Sequence, residues 1–368
     1  MKKVKVGIIG CGNISSIYLK NLTQVFELIE VVACADLVIE KAIQRAKEFN
    51  ISIACSVEEL LSHPEIEIVI NLTIPAAHAE VSLAALRAGK NVYVEKPLAV
   101  TREDGKKVIE LAKEKGLLVS CAPDTFLGAG LQTCRKLIDE GWIGRPVAAT
   151  AFMTCHGHES WHPDPEFYYQ YGGGPMFDMG PYYLTALIAL MGPVSRVTGS
   201  AKVTFPQRTI TSSPKNGKVI EVEVPTHVTG VLDFVNGAVA TIITSFDIWD
   251  AKLPRIEIYG SEGTLSVPDP NVFEGPVLIR RHDQSEWREI PLTHQHSENS
   301  RGIGVTDMAY ALRLGRTHRA NSDMAYHVLD IMHGIHESST KGKHYEVQST
   351  CKQPAPLPMN LNKGKLDI

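Results

Sequence analysis

Three residues of this sequence, Lys96, Asp178 and Tyr182, have the types and the spacing that proton transfer requires. Lys96 follows an apolar run typical of a buried strand, where a lysine could donate to a substrate hydroxyl or carbonyl, or pass a proton if burial lowered its pKa. Asp178 and Tyr182 have the i, i+4 spacing that places two side chains on one face of a helix. A tyrosine hydroxyl has a pKa of ~10 and needs a cationic neighbour, such as Lys96, to act as a base near neutrality.

Each of these residues also has a simpler interpretation. A lysine at the end of a strand is usually exposed to solvent and has no chemical role. Tyr182 could act as a base or proton relay, could contact the substrate by a hydrogen bond, or could be a packed aromatic side chain. The residue types alone leave these alternatives open.

A glycine turn near the start of the chain has the pattern of a dinucleotide site. An apolar run leads into Gly10-Cys-Gly12, and a helical pattern follows the turn. Gly10 allows a tight turn, and Gly12 lets backbone N–H groups approach a pyrophosphate at the positive end of the helix. Asn13 and Ile14 continue the turn and are assigned to the same cofactor site. Ser15 replaces the third glycine of the motif and is small enough for close packing of helix on strand.

An acidic residue indicates which dinucleotide would bind. A second apolar run, residues 31–35, ends in Asp36. A carboxylate at this position accepts hydrogen bonds from the adenosine ribose diol and repels a 2′-phosphate, which favours NAD over NADP. A glycine turn alone is a weak signal, but the strand before it and Asp36 together favour dinucleotide binding over an ordinary turn.

The elements that position these residues alternate regularly in the first third of the chain. Patterns resembling capping boxes begin at Ser56 and Thr101, and Gly89 and Gly116 occupy positions typical of helix C-caps. The alternation predicts a doubly wound parallel sheet of the Rossmann type with right-handed crossovers. The apolar runs predict strands at 31–35, 66–72, 91–94 and 117–121, and the intervening patterns predict helices at 39–49, 76–88 and 102–115.

The pattern changes after about residue 121 and predicts two domains, residues 1–122 and 123–368. The second is expected to be an α+β domain with a large, mainly antiparallel open sheet formed by β runs from 194 to 290. One face of such a sheet would stay uncovered, so a homodimer or homotetramer is expected. Residues 353–368 are expected to pack loosely or fray. Helices are predicted at 131–140, 176–191, 305–314 and 324–338, and a further strand at 146–153.

A loop between residues 154 and 175 adds candidate substrate contacts. Trp161 could stack on the face of a sugar, and His162 could donate a proton. Asp124 follows the sixth strand and could also touch the substrate. His156 and His158, with His162, resemble metal ligands, but no Cys or acidic partner completes a recognisable set, so no metal site is predicted.

Composition excludes several classes of function. The chain has 368 residues, of which 44% are hydrophobic and 21% charged, and a net charge of −4. This balance predicts no binding to nucleic acid or to an anionic membrane. No stretch is apolar enough for a membrane span, and seven scattered cysteines suggest reduced thiols in the cytoplasm.

Taken together, the motifs resemble those of the glucose–fructose oxidoreductase / inositol dehydrogenase / MocA family. They are the glycine turn with Asp36, the segment from Thr73 through Pro75 to His78, Glu95-Lys96-Pro97, and the segment 172–182. The resemblance spans residues 4 to about 347 and implies NAD(P)-dependent oxidation or reduction of small polyhydroxy compounds such as sugars, polyols and cyclitols. It further implies that Lys96 and Asp178 line the reaction site. Among the motif residues, it assigns to the cofactor site Thr73, Pro75, His78, Glu95 and Lys96.

One position departs from the family pattern, because Tyr182 stands where the family has a histidine. Either Tyr182 or His162 could take over the role of that histidine. The main hypothesis is therefore an NAD-dependent dehydrogenase or reductase in which Lys96, Asp178 and Tyr182 handle the hydroxyl proton. The alternatives are a catalytically silent regulator that senses NAD or a sugar, and an NAD-assisted glycosidase.

Overall fold

The computed structural model describes residues 1–367, and its N-terminal region is a parallel sheet enclosed by helices. The six strands have the order β3-β2-β1-β4-β5-β6, so the direction of winding reverses between β1 and β4. Ligands of open parallel sheets bind at such a switch point. The strands are β1 Val4–Ile9, β2 Ile29–Ala35, β3 Ile53–Cys55, β4 Ile68–Asn71, β5 Asn91–Val94 and β6 Val119–Cys121. The helices are α1 Ser15–Gln24, α2 Ile39–Phe49, α3 Val57–Ser62, α4 His78–Arg87 and α5 Arg102–Lys115.

Local sequence determines where several of these helices begin and end. The Ser56 side chain accepts a hydrogen bond from the backbone N–H of Glu59, and the Glu59 side chain accepts one from the Ser56 N–H, which confirms the predicted capping box. Thr101 caps α5 through the N–H of Asp104, and Gly116 ends that helix in the left-handed conformation. The predicted doubly wound sheet is confirmed.

The C-terminal region contains a nine-stranded sheet with the order β16-β15-β14-β13-β7-β12-β11-β8-β17, beside a two-stranded ribbon of β9 and β10. β7 and β12 pair in parallel, whereas the neighbouring pairs are antiparallel, which confirms the predicted mainly antiparallel sheet. The first strands are β7 Pro146–Thr154, β8 Val194–Lys202, β9 Gln207–Thr209, β10 Val219–Glu221, β11 His227–Phe234 and β12 Val239–Ser245. The remaining strands are β13 Ile256–Gly260, β14 Gly263–Val267, β15 Val277–Arg281, β16 Arg288–Ile290 and β17 Tyr345–Glu346. The helices are α6 Ala129–Asp139, α7 Gly174–Asp178, α8 Gly180–Met191, α9 Ile303–Leu314 and α10 Ser322–Lys341.

The single helix predicted for residues 176–191 is wrong, because the structure divides it at Met179. α7 ends at Asp178, and α8 begins at Gly180 with Pro181 in its first turn. Pro181 has no N–H to donate to the carbonyl four residues earlier, so a continuous helix would lose a hydrogen bond at this point. Asp178 and Tyr182 therefore lie on either side of a break rather than on one continuous helical face.

Helices cover one face of the large sheet, and every residue of α8 is buried. The strands alternate between buried and more exposed positions, as β7 and β11 illustrate. On the opposite face Val231 and Val239 are about two-fifths exposed. An interface between copies of the chain on this face stays a prediction.

The C-terminal helices return to the first sheet, so the two regions are joined by several contacts. Ala320 accepts hydrogen bonds from the Cys121 N–H at 3.1 Å and the Ser120 hydroxyl at 2.7 Å, which covers the β6 edge. The Arg102 guanidinium forms an ion pair of 2.7 Å with Asp330 of α10. Among residues 1–367, none of the helices combines the length and the apolar character needed to cross a bilayer.

The expectation that the C-terminal tail packs loosely is wrong for its described part, which ends at residue 367. Leu357 and Leu366 are buried, and the N–H of Leu357 donates to the Gln132 side chain at 2.7 Å. Asp367 accepts from Arg316 at 2.7 Å. Apolar side chains placed several residues apart therefore anchor a segment that has no regular secondary structure.

Candidate active site

The glycine turn leaves open space at the start of α1. Gly10 has a φ of +100°, and a Cβ there would lie 2.6 Å from the Leu72 carbonyl carbon and oxygen, so only glycine fits. A Cβ on Gly12, by contrast, would meet nothing within 4 Å. Asn13 is exposed and Ile14 partly exposed beside it, and no described side chain caps the start of α1. Free backbone N–H groups facing open space are the features that bind a pyrophosphate.

Asp36 lies beside this turn, and backbone groups hold its carboxylate in place. Oδ2 accepts from the Cys11 N–H at 2.7 Å, and Oδ1 accepts from the Val38 N–H at 2.9 Å. Each carboxylate oxygen keeps acceptor capacity for another donor. The position therefore suits a carboxylate that receives hydrogen bonds from a ribose diol.

Arg45 of α2 also reaches the turn, although sequence reasoning missed it. Its Nε donates to the Ser15 hydroxyl at 3.2 Å and its Nη2 donates to the Gly12 carbonyl at 3.3 Å. An arginine in a helix beyond the second strand carries no motif, so nothing in the local sequence indicates that it lies here. Its charge adds a cation near the predicted phosphate position.

The loop after β4 is held from inside the protein. The Thr73 hydroxyl donates to the Asn71 side chain at 2.6 Å, and Pro75 begins a short 3-10 turn. The His78 ring is 1% exposed, with Nδ1 2.7 Å from the Pro97 carbonyl and Nε2 3.0 Å from the Thr73 carbonyl. Burial lowers the pKa of His78. His78 thus joins the loops after β4 and β5, and this placement differs from the direct cofactor contact that was expected of it.

Glu95 has a similar supporting position. Its side chain is 9% exposed, and Oε1 accepts from the Tyr18 hydroxyl at 2.8 Å. Oε2 accepts from the Lys96 backbone N–H at 2.9 Å. One carboxylate oxygen therefore binds a side chain of α1 and the other binds the backbone that carries Lys96, and a direct contact with the cofactor stays a prediction.

Lys96 and Asp178 form the centre of the site, although they are 82 residues apart in sequence. The Lys96 ammonium donates to Asp178 Oδ1 at 2.7 Å and to the Asp178 backbone carbonyl at 2.6 Å. That carbonyl is available because the Tyr182 N–H bonds to Met179 at the helix break. Each side chain is 17% exposed, so the pair is largely shielded but still reachable by a ligand.

This contact determines the charges of both groups. Burial alone would lower the pKa of Lys96, but the charge of Asp178 reverses this effect and raises the pKa. Burial alone would raise the pKa of Asp178, but Lys96 and His158 lower it to about 2. At neutral pH the site therefore contains an ammonium and a carboxylate.

Tyr182 lies against the same lysine, and its ring centroid is 5.4 Å from the Lys96 ammonium nitrogen. The side chain is 8% exposed. Burial raises the pKa of Tyr182, although the charges of Lys96 and Arg301 oppose this effect. A neutral phenol donates hydrogen bonds, so the electrostatics favour a donor over a base for this residue.

Arg301 is a second charged residue that sequence reasoning missed. Its guanidinium donates to the side chains of Asn271 at 2.8 Å and Asn299 at 3.0 Å. Burial alone would lower the pKa of Arg301, but Tyr182 and Asp124 raise it. Arg301 precedes α9 in an irregular segment, where the sequence offers no periodic signal.

Asp124 has a structural position that differs from the substrate contact expected of it. The side chain is 1% exposed, and Oδ2 accepts from the N–H groups of Gly302 at 2.9 Å and Gly304 at 3.0 Å. Burial raises the pKa of Asp124, although these two hydrogen bonds oppose the effect. Its carboxylate therefore stabilises the start of α9.

The loop after β7 brings aromatic side chains and a histidine to Asp178. Trp161 is 61% exposed, and its ring centroid lies 5.3 Å from those of His158 and His162. His162 accepts from the Asp164 N–H at 3.0 Å, whereas His158 Nε2 lies 3.5 Å from Asp178 Oδ2. The histidine paired with Asp178 is thus His158 and not His162. Across residues 1–367, no three His, Cys, Asp or Glu side chains are grouped as metal ligands.

Comparison with protein families gives two matches along the chain. Residues 4–122 match the model described as "Oxidoreductase family, NAD-binding Rossmann fold", and residues 131–266 match the GFO/IDH/MocA C-terminal domain. The inositol 2-dehydrogenase of Salmonella typhimurium is 35% identical over 152 residues, which are 39% of this chain and 44% of that protein. The matched region thus spans less than half the length of that relative.

Other relatives match over a greater length at lower identity. The dTDP-3,4-didehydro-2,6-dideoxy-α-D-glucose 3-reductase of Streptomyces violaceoruber is 27% identical over 305 residues, covering 80% of this chain and 82% of that protein. The structure of a levoglucosan dehydrogenase in complex with NADH superposes with a TM-score of 0.80 at 23% identity. That match covers 95% of this chain and 100% of the other, and it establishes that the two share a fold.

Proposed function

This chain belongs to the GFO/IDH/MocA oxidoreductase family, and from that premise we propose that it transfers hydride between NAD and a CH–OH group of a sugar, polyol or cyclitol. The observation that carries the proposal is the Lys96–Asp178 ion pair of 2.7 Å. It lies just beyond β5, at the carboxyl edge of the parallel sheet where the glycine turn also lies. Ligands of this fold bind at that edge.

The residues around the turn fit NAD. The open space at Gly12 and the uncapped start of α1 would hold the pyrophosphate, and Asp36 would hold the adenosine ribose. When bound, NAD supplies the hydride acceptor or donor. Because a carboxylate repels a 2′-phosphate, we expect NAD to bind more tightly than NADP, although Arg45 adds a cation nearby.

The chain's own groups would handle the proton and orient the substrate. In carbonyl reduction the Lys96 ammonium donates a proton to the carbonyl oxygen as that oxygen gains negative charge. The neutral Tyr182 hydroxyl donates a hydrogen bond to the same oxygen. Asp178 keeps Lys96 protonated and holds it in position through Oδ1. In alcohol oxidation the hydroxyl proton passes to Lys96 by the reverse of this step, which requires that the ammonium gives up one of its own protons.

The substrate class follows from the site and from the relatives. Trp161 offers an exposed aromatic face, which suits the C–H face of a sugar ring. The named relatives act on inositol, a deoxysugar nucleotide and levoglucosan, according to their names. A small polyhydroxy compound is therefore the proposed substrate of this chain.

A turnover screen tests the proposal. NADH formation and consumption would be followed against a panel of sugars, polyols, cyclitols and their keto forms. On a confirmed substrate, Lys96→Ala should lower kcat by ~10²–10⁴-fold and leave NAD affinity nearly unchanged. Lys106→Ala, which changes a lysine of α5 that is 65% exposed, is the matched control and should keep full activity.

Other outcomes of the same screen would favour a different function or contradict the assignment of the site. NAD binding without turnover of any substrate would favour the regulator, and glycoside cleavage without net NADH would favour the NAD-assisted glycosidase. Full activity of Lys96→Ala would contradict the assignment of this site. Tyr182→Phe distinguishes a proton-transferring residue, which would lower kcat, from a binding contact, which would mainly raise KM.

For the assembly, we propose a homodimer or homotetramer formed through the open face of the nine-stranded sheet. Half-exposed apolar side chains on that face would be covered by a second copy. Sedimentation at micromolar concentration should therefore give a dimer or larger species, and a monomer alone would contradict this expectation.

A further inference from the structure

The imidazole of His158 faces the carboxylate of Asp178 from the side opposite Lys96. His158 Nε2 lies 3.5 Å from Asp178 Oδ2, whereas Lys96 binds Oδ1 at 2.7 Å. His158 is 8% exposed, and neither ring nitrogen forms a hydrogen bond within residues 1–367. Buried polar atoms are normally hydrogen-bonded, so an unpaired imidazole aimed at a carboxylate requires a functional explanation.

Packing holds this imidazole in place. Its ring centroid lies 4.0 Å from that of Tyr168, 4.7 Å from that of Phe246 and 5.3 Å from that of Trp161. The His158 backbone N–H donates to the Tyr169 hydroxyl at 3.3 Å. Aromatic rings therefore surround the ring and leave it directed at Asp178.

A buried ion network fixes the backbone of the same loop. Arg208 Nη1 donates to Glu159 at 2.8 Å, and its Nη2 also pairs with Asp247. The Tyr169 hydroxyl donates to Glu159 Oε2 at 2.6 Å. Glu159 follows His158 directly, so the network restricts where the imidazole can lie.

The other groups of the site cannot readily accept a proton near neutral pH. Lys96 already carries its proton, because its pKa is raised. Tyr182 is a neutral phenol, because its pKa is also raised. Asp178, with a pKa of about 2, is a weak base. Alcohol oxidation nevertheless needs a group that removes the hydroxyl proton, and imidazole is the side chain that titrates in this range.

We propose that His158 supplies the proton-accepting function that the family histidine provides elsewhere, and that it acts through Asp178 as a relay and positioning residue. This inference rests on the proposed function. In oxidation the substrate O–H bond breaks and its proton goes to Lys96, while Lys96 passes one proton through Asp178 to His158 Nε2. The hydride leaves the same carbon for NAD. Alcohol, NAD⁺ and neutral imidazole thus become ketone, NADH and imidazolium.

The pH dependence follows from the groups that face His158. Asp178 and Lys96 lie on the carboxylate side, and Tyr168 and His162 lie on the loop side. Behind the loop are the charged or ionisable groups Tyr169, Glu159, Arg208 and Asp247. Oxidation requires unprotonated His158, so kcat/KM for the alcohol should rise as pH increases through the ionisation of the imidazole.

Substitution of His158 tests the relay. His158→Asn and His158→Gln should lower kcat by ~10²–10³-fold with little change in KM, and should abolish the rise of kcat/KM with pH. His282 is an exposed histidine in the C-terminal sheet region. His282→Asn is the control, and it should keep the unaltered kcat and the rise of kcat/KM with pH. At one pH the two reaction directions must lose kcat/KM by the same factor, because the equilibrium constant is fixed. Added imidazole should restore part of the activity of His158→Ala.

Failure of the relay and failure of the proposed function give different results. Turnover with an unchanged pH profile in His158→Asn and His158→Gln, once folding is verified by thermal melting, would overturn the relay alone. Absence of turnover in the unaltered chain would overturn the proposed function, and the relay with it.

A measurement on the cofactor-free protein tests the contact itself. The imidazole signal of His158 would be followed by NMR against pH in the unaltered chain and in Asp178→Asn. Loss of the carboxylate should lower the pH at which the signal changes, since an anion stabilises imidazolium. An identical titration in both proteins would also overturn the relay.

Discussion

The cofactor half and the substrate half of this site are built in different ways. In the cofactor half, Asp36 contacts the Cys11 N–H across adjacent strands, and Glu95 contacts the N–H of the next residue. In the substrate half, Asp178 is held by a lysine 82 residues away. The first arrangement arises from neighbouring elements of one sheet, whereas the second requires both regions to be folded and packed.

This difference predicts where a single substitution will affect folding. Residues of the cofactor half lie on loops at the edge of a hydrogen-bonded parallel sheet, so their loss should alter ligand binding more than stability. The loop that carries His158 has little regular structure and depends on the Glu159–Arg208–Asp247 network. Loss of that network should therefore affect stability and turnover together.

Arg208→Leu would test this contrast most strongly. It would leave Glu159 and Asp247 buried without their cation and should reduce the free energy of unfolding by about 3–5 kcal/mol. Arg196→Leu is the matched control, because its pair with Asp233 is 42% and 27% exposed and should contribute about 0–1 kcal/mol. Urea unfolding measures the free energy of unfolding of both variants. Equal losses of this free energy would contradict a special role for the Arg208 network.

Asp36→Ser would probe the cofactor half. Removal of the carboxylate should weaken NAD binding by about 1.5–3 kcal/mol, which is the contribution of a hydrogen bond to a charged group. It should also reduce the preference for NAD over NADP. Titration of both cofactors into the unaltered and variant chains measures the effect. Equal or tighter binding of NADP by the unaltered chain would contradict the role assigned to Asp36.

Acid unfolding would test the pair that joins the two halves. The folded-state pKa of Asp178 is about 2, below its ordinary value of 3.8, so its contribution to stability is present above about pH 4 and is lost as pH falls through about 2. Between these values the unaltered chain should lose about 2 kcal/mol more stability than Asp178→Asn. Lys96→Met removes the cation instead, so the stability of this variant should also fall less steeply as pH decreases. An equally steep decline in Asp178→Asn would show that the pair does not link the halves energetically.

Gly12→Ala should have the smallest effect of these variants, and this effect should be on NAD affinity alone. The added Cβ would meet no protein atom within 4 Å, so the thermal midpoint should stay unchanged. NAD affinity should fall by about tenfold, because the methyl group occupies space at the predicted pyrophosphate position. Gly10→Ala is the contrasting variant, since its Cβ would clash with Leu72 and should destabilise the fold. Unchanged NAD affinity in Gly12→Ala would contradict the predicted position of the pyrophosphate.

Much of the cofactor half could be predicted from sequence, because short segments carry its information. The periodic apolar runs predict most strands of the first sheet, and the capping residues Ser56 and Thr101 place two helix starts. The order of the motifs identifies the family. Arg45 escaped prediction because its approach to the turn depends on helix packing rather than on spacing.

The surroundings of several site residues were predicted less fully, and these differences share a cause. Asp124 and His78 belong to recognisable segments, yet both are buried and bind backbone groups of other loops. The helix around Asp178 is broken, and the freed carbonyl binds Lys96. Each outcome depends on partners distant in sequence, which periodicity does not identify.

By itself, the sequence determined the doubly wound sheet, the position of Lys96 at its edge and the acidic residue after the second strand. These features arise from contacts within or between adjacent elements, where residue type and spacing suffice. Only the tertiary structure decided that Lys96, Asp178 and His158 meet, and that His158 rather than His162 faces the carboxylate. The reason is physical, since the loop takes its course from a buried ion network and aromatic packing whose residues come from the loop itself, from β9 and from the segment after β12.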